Sequence, residues 1–205
     1  MRIYAILVIA EIEEKESIRE MRKKWLTGVL LLAVMAVALV GCGGPKADVM
    51  VFIMTNNIPV DGDKLAEDLK AKVGETPTTD VMTSPMFSMD KLFVELAAGD
   101  SDLFVVPKEQ FEAFARQGGL VILDEVFKAE DYPGGVVEAP VDTGSKDSKQ
   151  EPKLEKHLYG IPMNDTKWLK DGGYRGKEEM YAFVHPRSKQ VEETKEILKK
   201  LSVKE

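Results

Sequence analysis

Only one thiol is available for chemistry in this sequence. Cys42 is the single cysteine of 205 residues, so the chain has no disulfide framework, no thiolate metal site and no second sulfur. Leu39-Val40-Gly41 precede it at the end of an uncharged apolar run. The two histidines, His157 and His185, lie too far apart in sequence to suggest a metal motif, and both read as structural or surface residues. There is no Gly-x-Ser-x-Gly elbow and no phosphate-cradling Gly-rich loop with a lysine. Asp61-Gly62-Asp63 starts like a calcium loop, but the remaining ligand pattern is missing, which leaves a turn and helix cap. The expectation is therefore a non-enzymatic chain with no catalytic residue, no metal and no cofactor.

Binding chemistry has more candidates. Thr55, Asn56 and Asn57 follow a first apolar run, and Ser84, Met86, Phe87 and Ser88 follow a second extended stretch. Lys108 follows a third. Hydroxyls, amides and an ammonium leaving adjacent strands could meet a hydroxyl-rich or anionic solute, and Ser88 stands where a helix would begin. The same residue types also form ordinary turns and caps. Trp168 and Tyr174 could add an aromatic contact or could cover the edge of the core.

The elements that must position these residues alternate in type. Val49 to Met54 is a continuous apolar run, which suits a strand buried on both faces. Leu65, Leu69 and Val73 recur at helical spacing before Gly74. Residues 79–83 read as a second strand. Ser88 reads as the N-cap of a helix carrying Leu92, Phe93 and Leu96, with Gly99 at its end. Leu103 to Val106 is a third strand, Pro107 opens a helix bearing Phe111, Phe114 and Ala115 that closes at Gly118, and 120–123 is a short fourth strand. This alternation predicts an α/β fold with a doubly wound, mostly parallel sheet. Three successive strand–helix turns then gather the polar candidates at one edge, the usual ligand position in open α/β sheets. Residues 131–156 are polar and turn-rich and are expected to form a mobile loop. Order returns with a short strand at 158–162, a turn at Asp171-Gly172-Gly173-Tyr174 and a strand from Met180 to Val184. Ser188 then caps a last helix with Val191, Ile197, Leu198 and Leu201 on its apolar face.

The N-terminus reads as an export signal. The basic cluster Met21-Arg22-Lys23-Lys24 precedes an apolar run from Trp25 to Val40 that falls short of a bilayer span. Leu39-Val40-Gly41-Cys42 resembles the lipobox of bacterial lipoproteins, and Gly43-Gly44-Pro45 behind it suits a tether. That resemblance implies cleavage before Cys42, palmitate-type acylation of its sulfur, and anchoring at the extracytoplasmic face of the cell membrane. The organisation expected is a mis-assigned upstream extension at 1–20, with translation starting at Met21. A signal peptide at 21–41, a tether at 42–47 and a single α/β domain at 48–205 follow. The whole chain has a net charge of −7, and residues 1–41 hold six Lys/Arg against five Asp/Glu, so the remainder stays acidic. Acidity disfavours nucleic acid as a partner.

Three stretches resemble the first lobe of extracellular solute-binding proteins of ABC importers, the sugar-binding type in particular. They are Leu96-Ala97-Ala98-Gly99-Asp100-Ser101-Asp102-Leu103-Phe104-Val105-Val106 with its following helix and Leu123-Asp124, then Leu158-Tyr159-Gly160-Ile161-Pro162, and then Tyr181-Ala182-Phe183-Val184-His185-Pro186-Arg187-Ser188. The third is similar to the segment by which the chain of such proteins returns to pack on its first lobe. The resemblance implies a periplasmic-binding-protein-like lobe, a small sugar-like solute and a link to ABC transport. Members of that family carry a second whole lobe, for which this chain has no room. The resemblance therefore leaves two functions open: a single binding lobe, or a remnant of the fold serving as a protein-interaction module at the cell surface.

Overall fold

Six consecutive residues from the apolar run form β1 (Val49–Met54) in the computed structural model, which describes Trp25 and residues 46–141 and 153–204. Apart from Trp25, the expected signal peptide lies outside the described residues, as do Cys42 and positions 142–152 of the expected loop. The chain divides between Lys46 and Ala47, and the fold is that of the second unit. Along β1 the side chains alternate between two cores: Val49, Val51 and Ile53 enter one, Phe52 and Met54 the other. A strand with no polar face thus has both faces covered.

Helix α1 (Gly62–Val73) starts where the Asp61 carboxylate accepts the Lys64 amide at 3.0 Å, so the acidic motif is a cap. Its Leu65 and Leu69 are fully buried, each stabilising by about 1.5–3 kcal/mol. β2 (Thr79–Ser84) lies parallel to β1, with Val49 opposite Thr79 and Met54 opposite Ser84. α2 (Met89–Ala98) is capped by Ser88, whose hydroxyl accepts the Lys91 amide at 3.3 Å. Gly99 ends it at φ 67°, a left-handed conformation that a side chain would strain. Leu92 is buried, while Phe93 stays half exposed. β3 (Leu103–Pro107) pairs parallel with β1 and runs directly into α3 (Lys108–Ala115).

The rest of the chain completes the sheet in a different sense. β6 (Ile161–Pro162) and β7 (Met180–Val184) enter it so that the order is β2-β1-β3-β7-β6. β7 runs antiparallel to both neighbours, with Leu103 opposite Val184 and Pro107 opposite Met180. The sheet is therefore five-stranded and mostly parallel, and the fold is mixed α/β. α1, α4 (Lys167–Asp171) and α5 (Val191–Leu201) bury Leu65, Leu69, Trp168, Leu169, Ile197, Leu198 and Leu201 in one core. Leu92, Phe111 and Ala115 of α2 and α3 pack in the other. Among the described residues no helix is long and apolar enough to cross a membrane.

Four expectations need correction. Residues 131–156 are not one loop: β4 (Val136–Pro140) and β5 (Leu154–Leu158) form an antiparallel hairpin, preceded by 3₁₀ turns at Ala129–Asp131 and Pro133–Gly135. Val137 and Ala139 point inward around exposed Glu138, a period-2 pattern too short to stand out among the charges. Residues 120–123 form no strand, because among the described residues no backbone pairing is made along 120–122. The expected strand at 158–162 is split by Tyr159 and Gly160; a Cβ on Gly160 would fall 2.5 Å from the Phe111 ring. Finally, α5 begins at Val191 with Gln190 in the cap position. The Ser188 hydroxyl instead donates to Asp102 at 2.6 Å and accepts the Gln190 amide at 3.1 Å.

Candidate functional site at the carboxyl edge of the sheet

Parallel strands β1, β2 and β3 end on the same edge, and that edge collects the residues that follow them. The Thr55 amide donates to the Ser84 carbonyl at 3.0 Å, joining the first two turns. Both hydroxyls are already committed. Thr55 Oγ1 donates to the Ile58 carbonyl, and Ser84 Oγ donates to that of Met86 at 3.0 Å. Both residues are buried, so they shape the turns and present no free group. Asn56 and Asn57 are exposed and share a 3.3 Å side-chain hydrogen bond. Asn57 takes φ 57°, a left-handed conformation that asparagine tolerates better than most residues. The Ser88 amide contacts Met54 Sδ at 3.5 Å, and Phe87 packs half buried against the second core.

Lys108 sits on the rim as well, because Pro107 is in register with Met180. Its backbone amide donates to the Glu179 carbonyl at 2.8 Å. Its ammonium reaches the Glu179 carboxylate at 2.6 Å and lies 5.8 Å from the centre of the Tyr181 ring. The hydrogen bond to Glu179 and the tyrosine beside it push the Lys108 pKa up, so the cation is secure at neutral pH.

The antiparallel entry of β7 brings in residues that the sequence pattern did not single out. The side-chain amide of Asn164 donates to the Glu178 carbonyl at 2.6 Å, and its oxygen accepts the Met180 amide at 2.5 Å. The Tyr174 hydroxyl donates to the same Glu178 carbonyl at 2.8 Å. Next to them opens a cleft of about 550 Å³ lined by Asn164, Asp165, Lys170, Asp171, Tyr174, Arg175 and Gly176. Ile58 joins it to the β1 turn, since a Cβ on Gly176 would meet Ile58 Cδ1 at 2.4 Å. Carboxylates, cations and an amide facing one polar cleft can grip a small hydroxyl-bearing or charged solute.

Trp168 is withdrawn from the ligand set. It is 1% exposed, and its indole donates to the Leu65 carbonyl at 3.1 Å inside the α1–α4 contact. A side chain of that size with one polar atom is satisfied where the polar atom finds a carbonyl, and here the core provides it. The histidines sit apart from the rim residues. His185 is buried with Nε2 on the Leu96 carbonyl at 3.1 Å and Nδ1 accepting the Arg187 amide at 3.1 Å, and burial pulls its pKa down. His157 bridges Asp124 at 2.6 Å and Glu155 at 2.9 Å, and these carboxylates raise its pKa. Among the described residues no group of three His, Cys, Asp or Glu is placed to hold a metal ion. Comparison of the chain with protein-family models, curated proteins and solved structures finds no match.

Proposed function

We propose that the chain is a lipid-anchored extracytoplasmic binding protein, non-enzymatic, built on one solute-binding-like, doubly wound lobe that holds a small polar solute at the carboxyl edge of its sheet. The observation that carries this reading is the rim itself. Asn56 and Asn57, Lys108 paired with Glu179, and the Asn164–Arg175 cleft converge on one edge of one sheet. The antiparallel β7 between β3 and β6 supports the likeness to a solute-binding lobe, since the stretch from Tyr181 to Ser188 is the one similar to that family's returning segment. Cys42 would supply the anchor through two acyl chains, enough for stable membrane attachment. The link to ABC transport follows from the resemblance alone.

The test is a thermal-shift screen of the Cys42→Ala chain against sugars, amino acids and small anions. A solute at one hundred times its Kd stabilises the protein by about 2.7 kcal/mol. A panel without any shift counts against the reading.

A second reading, a surface protein-interaction module, is favoured by one observation. Met86, Phe93 and Val94 on and before α2 are 67%, 51% and 64% exposed, an apolar surface that a free-standing domain gains nothing by showing. Co-purification from membranes of a partner lost in Phe93→Ser would move the balance to it.

A further inference from the structure

Residues 120–123, Leu-Val-Ile-Leu, have the composition of a strand. They also have a strand's side-chain alternation: Leu120 and Ile122 pack against one core, Val121 and Leu123 against the other. The segment lies alongside β4. At one end a Cβ on Gly118 would lie 2.7 Å from the Pro140 carbonyl, which explains the glycine there. At the other end the Leu123 amide donates to the carbonyl of Leu158, the residue opposite Val136 on β5. Gly118 and Gly119, at φ 81° and 86°, turn the chain from α3 into this segment. Yet among the described residues no backbone hydrogen bond is made by 120, 121 or 122. Between this edge and Pro140 and Val141 lies a cleft of about 460 Å³, floored by Tyr159.

Among the described residues lining the cleft, Glu125 and Lys195 are the charged ones. Lys195 is 7% exposed and lies 2.9 Å from Glu192 and 3.4 Å from Glu125, whose side chains are 73% and 78% exposed. Solvent therefore meets carboxylates, with the ammonium beneath them.

We propose that this cleft takes a short extended peptide of a partner protein. The peptide adds as a strand along residues 120–122 and turns a Lys or Arg toward Glu125. Unmet backbone donors and acceptors at 120–122 give such a peptide its affinity, and alternate side-chain contacts together with Glu125 give it selectivity. The site is separate from the carboxyl edge and stands whether or not a solute binds there.

The experiment is selection of the Cys42→Ala chain against a displayed library of random octapeptides. Enriched sequences are expected to alternate apolar residues and to contain Lys or Arg. A labelled enriched peptide should lose at least tenfold in affinity when its central amide is N-methylated, and again when the protein carries Glu125→Lys. Amide hydrogen exchange should slow at residues 120–122 on binding. No enrichment, indifference to N-methylation, or protection confined to another surface overturns the proposal. A concentration-dependent dimer that protects residues 120–122 overturns it too, by giving the edge to a second copy.

Discussion

The Ser188 hydroxyl donates to Asp102 Oδ1 at 2.6 Å, tying the turn after β7 to the start of β3. The other carboxylate oxygen of Asp102 accepts the Met50 amide at 2.9 Å, and its backbone exchanges with both neighbours, N–H to the Met50 carbonyl and carbonyl from the His185 amide. One aspartate therefore fastens three adjacent strands at the edge opposite the candidate site. Hydrogen bonds to a charged acceptor contribute about 1.5–3 kcal/mol each at most. Asp102→Ala should cost roughly 2–4 kcal/mol in urea unfolding, Ser188→Ala about 1 kcal/mol, with Asp102→Asn between them. Equal stability of Asp102→Ala and the parent would remove the fastening role.

Trp168 separates structure from binding. Trp168→Ala should destabilise by about 3–5 kcal/mol, the range for emptying a large aromatic site. Trp168→Phe keeps most of the volume and leaves the Leu65 carbonyl without its donor, so it should cost less and leave solute binding unchanged. Chemical denaturation and a binding isotherm on both variants check the two halves separately.

His157 makes stability depend on pH. With both ring nitrogens on carboxylates, the imidazolium is favoured in the folded state, above the ordinary value of 6.5. A raised folded pKa contributes stability that is fully present below about pH 6.5 and is lost as pH rises through the folded value. Glu155, held below its usual range by Lys153 and His157, stays ionised through that window. The parent chain should therefore lose melting temperature between mildly acid and mildly alkaline pH relative to His157→Gln. Parallel curves for the two would contradict the bridge.

On the proposed anchoring, location depends on Cys42. In a bacterial host the parent chain should lose residues 21–41 and incorporate labelled palmitate, and Cys42→Ala should do neither while the domain's circular dichroism stays the same. Palmitate label that survives Cys42→Ala would remove the lipid anchor from this residue.

Much of the fold was legible because its first half is locally written. The apolar run at 49–54, the caps Asp61 and Ser88 and the glycines at 74 and 99 each act within one turn of their own element, and the structure places them as their types require. β4 and β5 were not legible. Their inward residues Val137 and Ala139 alternate with Glu138, and the pairing that makes them strands is between segments separated by charged sequence. Residues 120–123 failed in the other direction, with the right side chains for a strand but, among the described residues, no backbone pairing along 120–122. The candidate site divides the same way. Thr55 to Asn57, Ser84 to Ser88 and Lys108 follow directly from strand ends, whereas Asn164 and Glu179 reach the rim only because β7 enters the sheet antiparallel. Trp168 was ambiguous because an aromatic side chain looks alike in a core and in a pocket until its Leu65 partner is known.

Nitrogen-edited NMR of the Cys42→Ala chain can observe a small polar solute binding at the carboxyl edge. Titration with the sugars, amino acids and anions should shift the side-chain amide signals of Asn56, Asn57 and Asn164 first, saturably, for at least one solute. Those signals staying fixed across the whole panel, or moving only together with surfaces remote from that edge, would rule out solute binding there.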